Sequence, residues 1–172
     1  MKRISIIGNG GSGKTTLAKK LSEKTHLPLL YLDCISYGPN WSEVDPEIFN
    51  QKHQKWINKE NWIIEGTMID CLDERLKKST HVIFLDISRW LCLYGIFKRL
   101  IAEYGQTRED MAEGCKESFD WPFLKYVWNF NKDTRPKIRE ILDKNAENCD
   151  IIIIKTRSEI NNWIKRYDTH QQ

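Results

Sequence analysis

Five short, almost continuously apolar runs punctuate the chain: Ile4–Ile7, Leu29–Leu32, Trp62–Glu65, Val82–Asp86 and Ile151–Ile154. Runs of this length that do not alternate with polar residues fit strands buried on both faces, as in a parallel sheet. Between them the apolar spacing becomes helical. Leu17, Ala18 and Leu21 share one face of a segment Lys14–Lys24. A second helix is expected to open at Asp45 as N-cap with Pro46 in its first turn, turning Ile48, Trp56 and Ile57 to the sheet. Met68–Lys78 repeats the pattern through Met68, Cys71, Leu72, Arg75 and Leu76, and Arg89–Tyr104 is apolar around most of its girth, which predicts a largely buried helix. After the last run, Thr156 and Glu159 stand in a capping-box relation ahead of Ile160, Trp163, Ile164 and Tyr167.

This alternation predicts an α/β fold, a five-stranded parallel sheet flanked by helices, with ligands bound beyond the carboxyl ends of the strands. The rhythm breaks once. Some 65 residues separate the fourth and fifth strands, enough for three helices and an irregular stretch, Gly105–Asp120, rich in charge and glycine. An insertion of this kind at the ligand face, spanning about 99–135, is expected to act as a lid.

Directly after the first strand the chain reads Gly8-Asn9-Gly10-Gly11-Ser12-Gly13-Lys14-Thr15, satisfying GxxxxGK[ST] and opening into a helix. The glycines let the backbone curl with its N–H groups inward, Ser12 continues that curl, and the helix N-terminus adds positive potential for a triphosphate. Lys14 is expected at the β- and γ-phosphates and Thr15 on Mg²⁺. Gly8, Gly10 and Gly13 also satisfy the dinucleotide pattern GxGxxG, with Asp33 at the end of the second strand. A dinucleotide loop has no use for the Lys-Thr pair, whereas a P-loop requires both.

Other charged residues are candidates for the rest of the chemistry. Asp86, ending a hydrophobic strand, fits a second acidic group near Mg²⁺, and fits equally an N-cap for the helix starting near Arg89. Asp33, on the same sheet edge as the loop, suits a carboxylate that deprotonates or orients an acceptor hydroxyl. Glu65, before Gly66-Thr67, is a weaker candidate of the same kind. Phosphoryl transfer gathers negative charge that arginines stabilise well; Arg99 and Arg108 flank the start of the lid, and Arg135 and Arg139 follow it on one helical face. The aromatics Trp121, Phe123, Tyr126, Trp128 and Phe130 suit the anchoring of a helix to the core better than the stacking of bases.

Composition narrows the picture further. The 172 residues fit one domain, 1–172, and 7 Trp, 6 Tyr and 6 Phe exclude a disordered chain. The formal charge of +3 and the absence of a basic stripe give no support to a nucleic-acid surface. Five cysteines without a CxxC suggest reduced thiols, the four histidines form no metal motif, and no run resembles a signal peptide or a spanning helix, so a cytoplasmic location is expected.

The opening Met1–Ile4 through Gly13-Lys14-Thr15, the Leu32-Asp33 pair, Trp62–Gly66, Val82–Asp86, Arg89–Leu93, Thr107–Cys115 and Trp128-Asn129-Phe130 together resemble the small P-loop proteins known as DNA topology modulation proteins, which are similar to adenylate kinases. The resemblance spans nearly the whole chain. It implies an adenylate-kinase-like fold, ATP bound at Gly8 to Thr16, and kinase-like chemistry. By the same analogy Arg99 would stack near the adenine or reach a phosphate, Arg108 would act from the lid, and Thr156-Arg157-Ser158 would border the base. Where the resembled proteins carry Asp-Gly-Asn-Tyr, this chain has Glu65-Gly66-Thr67-Met68.

The sequence thus predicts a phosphotransferase that uses Mg-ATP as donor and a small acceptor whose identity, possible nucleotides included, the motifs leave open. Its catalytic groups would be Lys14, Asp33, Arg99, Arg108 and Arg135, with Thr15 and Asp86 on the metal. The competing readings are an ATP-dependent regulator acting on DNA topology or on a protein partner, and a dinucleotide-binding protein.

Overall fold

The computed structural model describes residues 2–107 and 110–169, with side chains described as far as Lys165. In chain order the elements are β1 (Arg3–Gly8), α1 (Lys14–Thr25), β2 (Leu29–Tyr31), α2 (Leu32–Ser36), α3 (Pro46–Ile57), β3 (Trp62–Glu65), α4 (Leu72–Lys78), β4 (His81–Leu85), α5 (Arg89–Glu103), α6 (Trp121–Asp133), α7 (Arg135–Asn145), β5 (Asp150–Ile154) and α8 (Arg157–Thr169). The five strands form one all-parallel sheet in the order β2-β3-β1-β4-β5.

The central runs become strands because both faces of β1, β3 and β4 are covered, whereas the edge strand β5, expected to be buried as well, leaves Ile153 42% exposed. Ile4 and Ile6 point into a core shared with Leu17, Ala18 and Leu21 of α1 and Ile160 and Ile164 of α8. Ile7, Val82 and Phe84 point the other way, onto Leu72 and Leu76 of α4 and Ile138 and Leu142 of α7. Burying one such side chain contributes about 1.5–3 kcal/mol relative to exposure. The polar Ser5 sits among them fully buried, its hydroxyl 2.9 Å from that of Ser79. From β1 the chain passes to β2 on one side and returns through β3; from β3 it crosses β1 to reach β4. That reversal opens a crevice at the carboxyl end of β1, where the Gly8–Thr15 loop lies.

Several local expectations shift. The second strand ends at Tyr31, so Leu32 and Asp33 open α2 instead of closing a strand. Asp45 caps α3 by accepting from Glu47 N at 2.7 Å, but Ile48 faces outward, and the sheet-facing residues are His53 and Ile57 with Trp56 at the edge. Glu159 N donates to Thr156 Oγ1 at 3.1 Å, and the Glu159 carboxylate accepts from Lys155 N at 2.8 Å as well as from the Thr156 backbone, a capping box extended by one residue. The clearest departure is α5. Only Cys92 and Ile96 of this helix are buried, and most of its apolar girth is open. Of the aromatics on α6, Phe130 is in the core, whereas Trp121, Tyr126 and Trp128 remain exposed. Three helices, α5 to α7, do separate β4 from β5. All five cysteines are free thiols, and among the described residues no helix is long and apolar enough to cross a membrane.

Candidate active site

The loop between β1 and α1 is shaped by glycines at Gly8, Gly11 and Gly13, with φ of 149°, 71° and 99°. Gly11 and Gly13 occupy the left-handed region that side chains disfavour, and Gly13 is the N-cap of α1. Gly11 is also wedged against α5: a Cβ there would lie 2.2 Å from Cys92 O, and one on Gly95 would lie 2.5 Å from Gly11 O. Two glycines therefore let a helix backbone touch the loop backbone directly. On the other side, Asn9 Nδ2 donates to Val127 O of α6 at 2.9 Å, and Phe123 packs over Gly10. The Thr67 hydroxyl accepts from Gly8 N at 2.8 Å and donates to Gly8 O at 2.6 Å. The loop is pinned by α5, by α6 and by Thr67, and within it the N–H groups of Gly10 and Ser12 donate to Asn9 Oδ1 and Asn9 O.

The carboxylates beside this loop are Glu65 and Asp110. Thr15 Oγ1 lies 3.0 Å from Asp110 Oδ2 and 3.4 Å from Glu65 Oε2. Lys14 Nζ lies 3.6 Å from Glu65 Oε1 and donates to Asn9 O at 3.0 Å. Burial pushes the Glu65 carboxyl up to about 6; Lys14 pulls it down, while Asp33 and Asp110 add to the rise. A hydroxyl and two carboxylates converging here form an all-oxygen donor set, the chemistry that hard Mg²⁺ favours. The residues present thus fit the metal that the sequence motif implies.

Gly10–Thr16, Asp33, Glu65, Arg99, Asp110 and Arg157 all line one cleft of about 1000 Å³. Within it Arg99 donates through Nε and Nη2 to Glu117 Oε1, both at 2.9 Å, anchoring the base of the 105–117 segment. Arg157 Nη2 donates to Leu91 O at 3.0 Å, and its guanidinium stands 5.7 Å from the Tyr94 ring centroid. Residues 105–106 lie against Glu117, with Gly105 N donating to Glu117 O and Glu117 N to Gln106 O. Residues 113–116 rest on the turn after α2: Asn40 N donates to Glu113 O, Trp41 N to Cys115 Sγ, and Trp41 Nε1 to Lys116 O. Arg108 lies outside the described residues.

Two residues expected in the site stand elsewhere. The Asp86 carboxylate accepts from Arg135 Nε at 2.7 Å, Arg135 Nη2 at 2.6 Å and Arg139 Nη2 at 3.0 Å. Neither Asp86 nor Arg135 lines the cleft. The backbone N–H of Asp86 donates to Ile154 O, which turns the chain end of β4 toward β5, and Arg135 and Arg139 of α7 close over its carboxylate. Nor is Asp86 the N-cap of α5, a place taken by Ser88. The carboxylates at Thr15 are instead Glu65, underrated from sequence, and Asp110, not singled out there. The sequence signal for Glu65 was its place at the end of a buried strand next to a glycine. Asp110 gave no local signal, since only the tertiary fold of the 105–117 segment brings it to Thr15.

No protein-family model matches the chain, and no curated protein matches it either. Solved structures do. A shikimate kinase from Acinetobacter baumannii in complex with shikimate is 15% identical, with a TM-score of 0.58 over 97% of this chain and 90% of that one. A deoxyadenosine kinase from M. mycoides with bound dATP is 16% identical, with a TM-score of 0.56 over 98% of both chains. The same kinase with bound dCTP gives 13% identity and a TM-score of 0.52, covering 96% of this chain and 98% of that one. At such identities the likeness concerns architecture, and by its parallel sheet, its strand order and these neighbours the chain has the P-loop kinase fold.

Proposed function

We propose that this chain is an ATP-dependent kinase, which transfers the γ-phosphoryl group of Mg-ATP to a hydroxyl of a small acceptor, a nucleoside, a nucleotide or a hydroxylated metabolite. One observation carries the reading: a P-loop with its Lys14 and Thr15, two carboxylates at Thr15, and Asp33 all open into one cleft of about 1000 Å³. The loop N–H groups and Lys14 hold the phosphate oxygens, and Thr15, Glu65 and Asp110 are the groups placed to hold Mg²⁺. When bound, the metal neutralises charge on the phosphate oxygens. Asp33 accepts the proton of the acceptor hydroxyl as the new O–P bond forms and the bond between the β–γ bridging oxygen and the γ-phosphorus breaks, leaving ADP. Arg99 and Arg157 extend the positive lining of the cleft, with Arg157 toward the nucleotide. The chain acts as a single domain with a lid over about 99–135. Five free thiols suit a reducing compartment, in keeping with a cytoplasmic enzyme.

The test is ADP release from Mg-ATP by the purified protein, alone and with nucleosides, nucleoside monophosphates and small hydroxylated metabolites. Stimulation by one acceptor class supports the reading and names the substrate. Tight ATP binding without stimulation by any of them overturns it and favours the nucleotide-dependent regulator, to which the resemblance to DNA topology modulation proteins also points.

A further inference from the structure

Helix α5 turns one face to the cleft through Gly95, Lys98, Arg99 and Ala102 and buries Cys92 and Ile96. A third face carries Trp90, Tyr94, Phe97, Ile101 and Tyr104, whose spacing of four, three, four and three is the a/d repeat of a helix-pairing seam. On an α-helix these five fall within an arc of about 80° along about 21 Å. Among the described residues only Trp128, against Trp90, and Arg157, near the Tyr94 ring, approach this face, and the five remain 66%, 59%, 45%, 85% and 67% exposed. Trp128 of α6 meets Trp90 edge to face at 5.0 Å and widens the patch.

We infer that this seam is the interface with a second copy of the chain, α5 against α5 across a twofold axis. At roughly 200 Å² for each large side chain, the exposures above, with Trp128 at 40%, leave about 700 Å² of mostly apolar surface. That exceeds the roughly 300–600 Å² of the largest patch on a typical monomer and approaches the roughly 800 Å² per partner of a stable complex. Counted from Phe97 the other positions stand at −7, −3, +4 and +7, so antiparallel pairing with Phe97 on the axis sets Trp90 opposite Tyr104 and staggers Tyr94 and Ile101 by one residue. It also sets the helix dipoles in opposition. A lipid surface would call for a basic rim, which α5 does not provide. Arg89 is spent over the Trp128 ring at 4.5 Å and Arg99 on Glu117, leaving Lys98 beside the seam. Because the opposite face of α5 walls the cleft, the second copy buttresses that wall, although the pairing itself does not depend on the activity proposed above.

The experiment is light-scattering mass measurement on the full chain over a concentration series, for wild type and a Tyr94→Glu/Ile101→Glu variant. Both side chains are exposed, so the variant should fold, which circular dichroism checks. Wild type should have twice the 20.4 kDa chain mass and the variant the single-chain mass. Phe97→Cys should form a disulfide-linked dimer on mild oxidation, since the axis sets two copies of position 97 together. A wild type that stays at the single-chain mass throughout, including one that adheres to anionic vesicles in that state, overturns the inference. So does a folded charge variant that remains dimeric.

Discussion

Gly95→Ala puts the contact between α5 and the phosphate loop under direct strain. An added methyl would stand 2.5 Å from Gly11 O and 2.8 Å from Arg157 Nη2, against ordinary contacts of 3.4–4 Å. The arginine, at the end of a flexible side chain, can move. Gly11 cannot easily do so, because its φ of 71° leaves its own Cβ position 2.2 Å from Cys92 O. The helix must therefore retreat by about 1 Å from the loop, an overpacking that costs about 1–3 kcal/mol. Against this, replacing a mid-helix glycine with alanine returns about 1 kcal/mol of helix propensity. The net effect on stability lies between neutral and a loss of about 2 kcal/mol. Ligand binding has no such offset, and if the shifted loop loses about 1.4 kcal/mol of phosphate contact, roughly one hydrogen bond, ATP affinity falls about tenfold. Thermal unfolding and titration calorimetry with Mg-ATP measure the two effects separately. A variant stabilised by the full propensity gain, with ATP affinity unchanged, would refute the reasoning that this backbone contact sets the loop.

Two further substitutions separate the carboxylates. Burial holds the Glu65 carboxyl at about 6 against an ordinary 4.5, so between these values the native state binds more protons than the unfolded chain. Stability is then highest below about pH 4.5 and falls by up to about 2 kcal/mol as pH rises through 6. Glu65→Gln removes this component of the slope, visible in denaturant titrations at several pH values, and weakens Mg²⁺-dependent ATP binding; equal slopes in wild type and variant would contradict the burial argument. Asp86→Asn should instead lose about 2 kcal/mol of stability, from charge-assisted hydrogen bonds to Arg135 and Arg139, while Mg-ATP affinity stays as in wild type. A tenfold loss of Mg²⁺-dependent affinity in that variant would return Asp86 to the metal site.

The layout of the sheet was legible because parallel strands buried on both faces leave apolar runs, as at Ile4–Ile7, broken only by Ser5, and at Val82–Leu85; the edge run Ile151–Ile154 is as apolar, yet Ile153 is 42% exposed. The phosphate loop was legible because its work is done by backbone and adjacent residues, all within Gly8–Thr15. What escaped is what distant segments build together. Asp86 and Glu65 look alike in sequence, each a carboxylate closing a hydrophobic strand. One faces Arg135 and Arg139 while the other faces Lys14 and Thr15, and only the packing of α7 and the pairing of β3 beside β1 decide between them. The seam on α5 was misjudged for a related reason. An apolar helix reads as a buried one when its only available cover is taken to be its own chain.

The most direct test of the account is a product balance, by phosphorus NMR, on the acceptor that stimulates ADP release, run with wild type and Lys14→Ala side by side. The account predicts one phosphorylated acceptor formed per ADP for the wild type, and no transfer by a folded Lys14→Ala protein, because the cation at the phosphate loop is gone. Turnover retained by Lys14→Ala, or ADP formed with inorganic phosphate as the sole partner product, would contradict it.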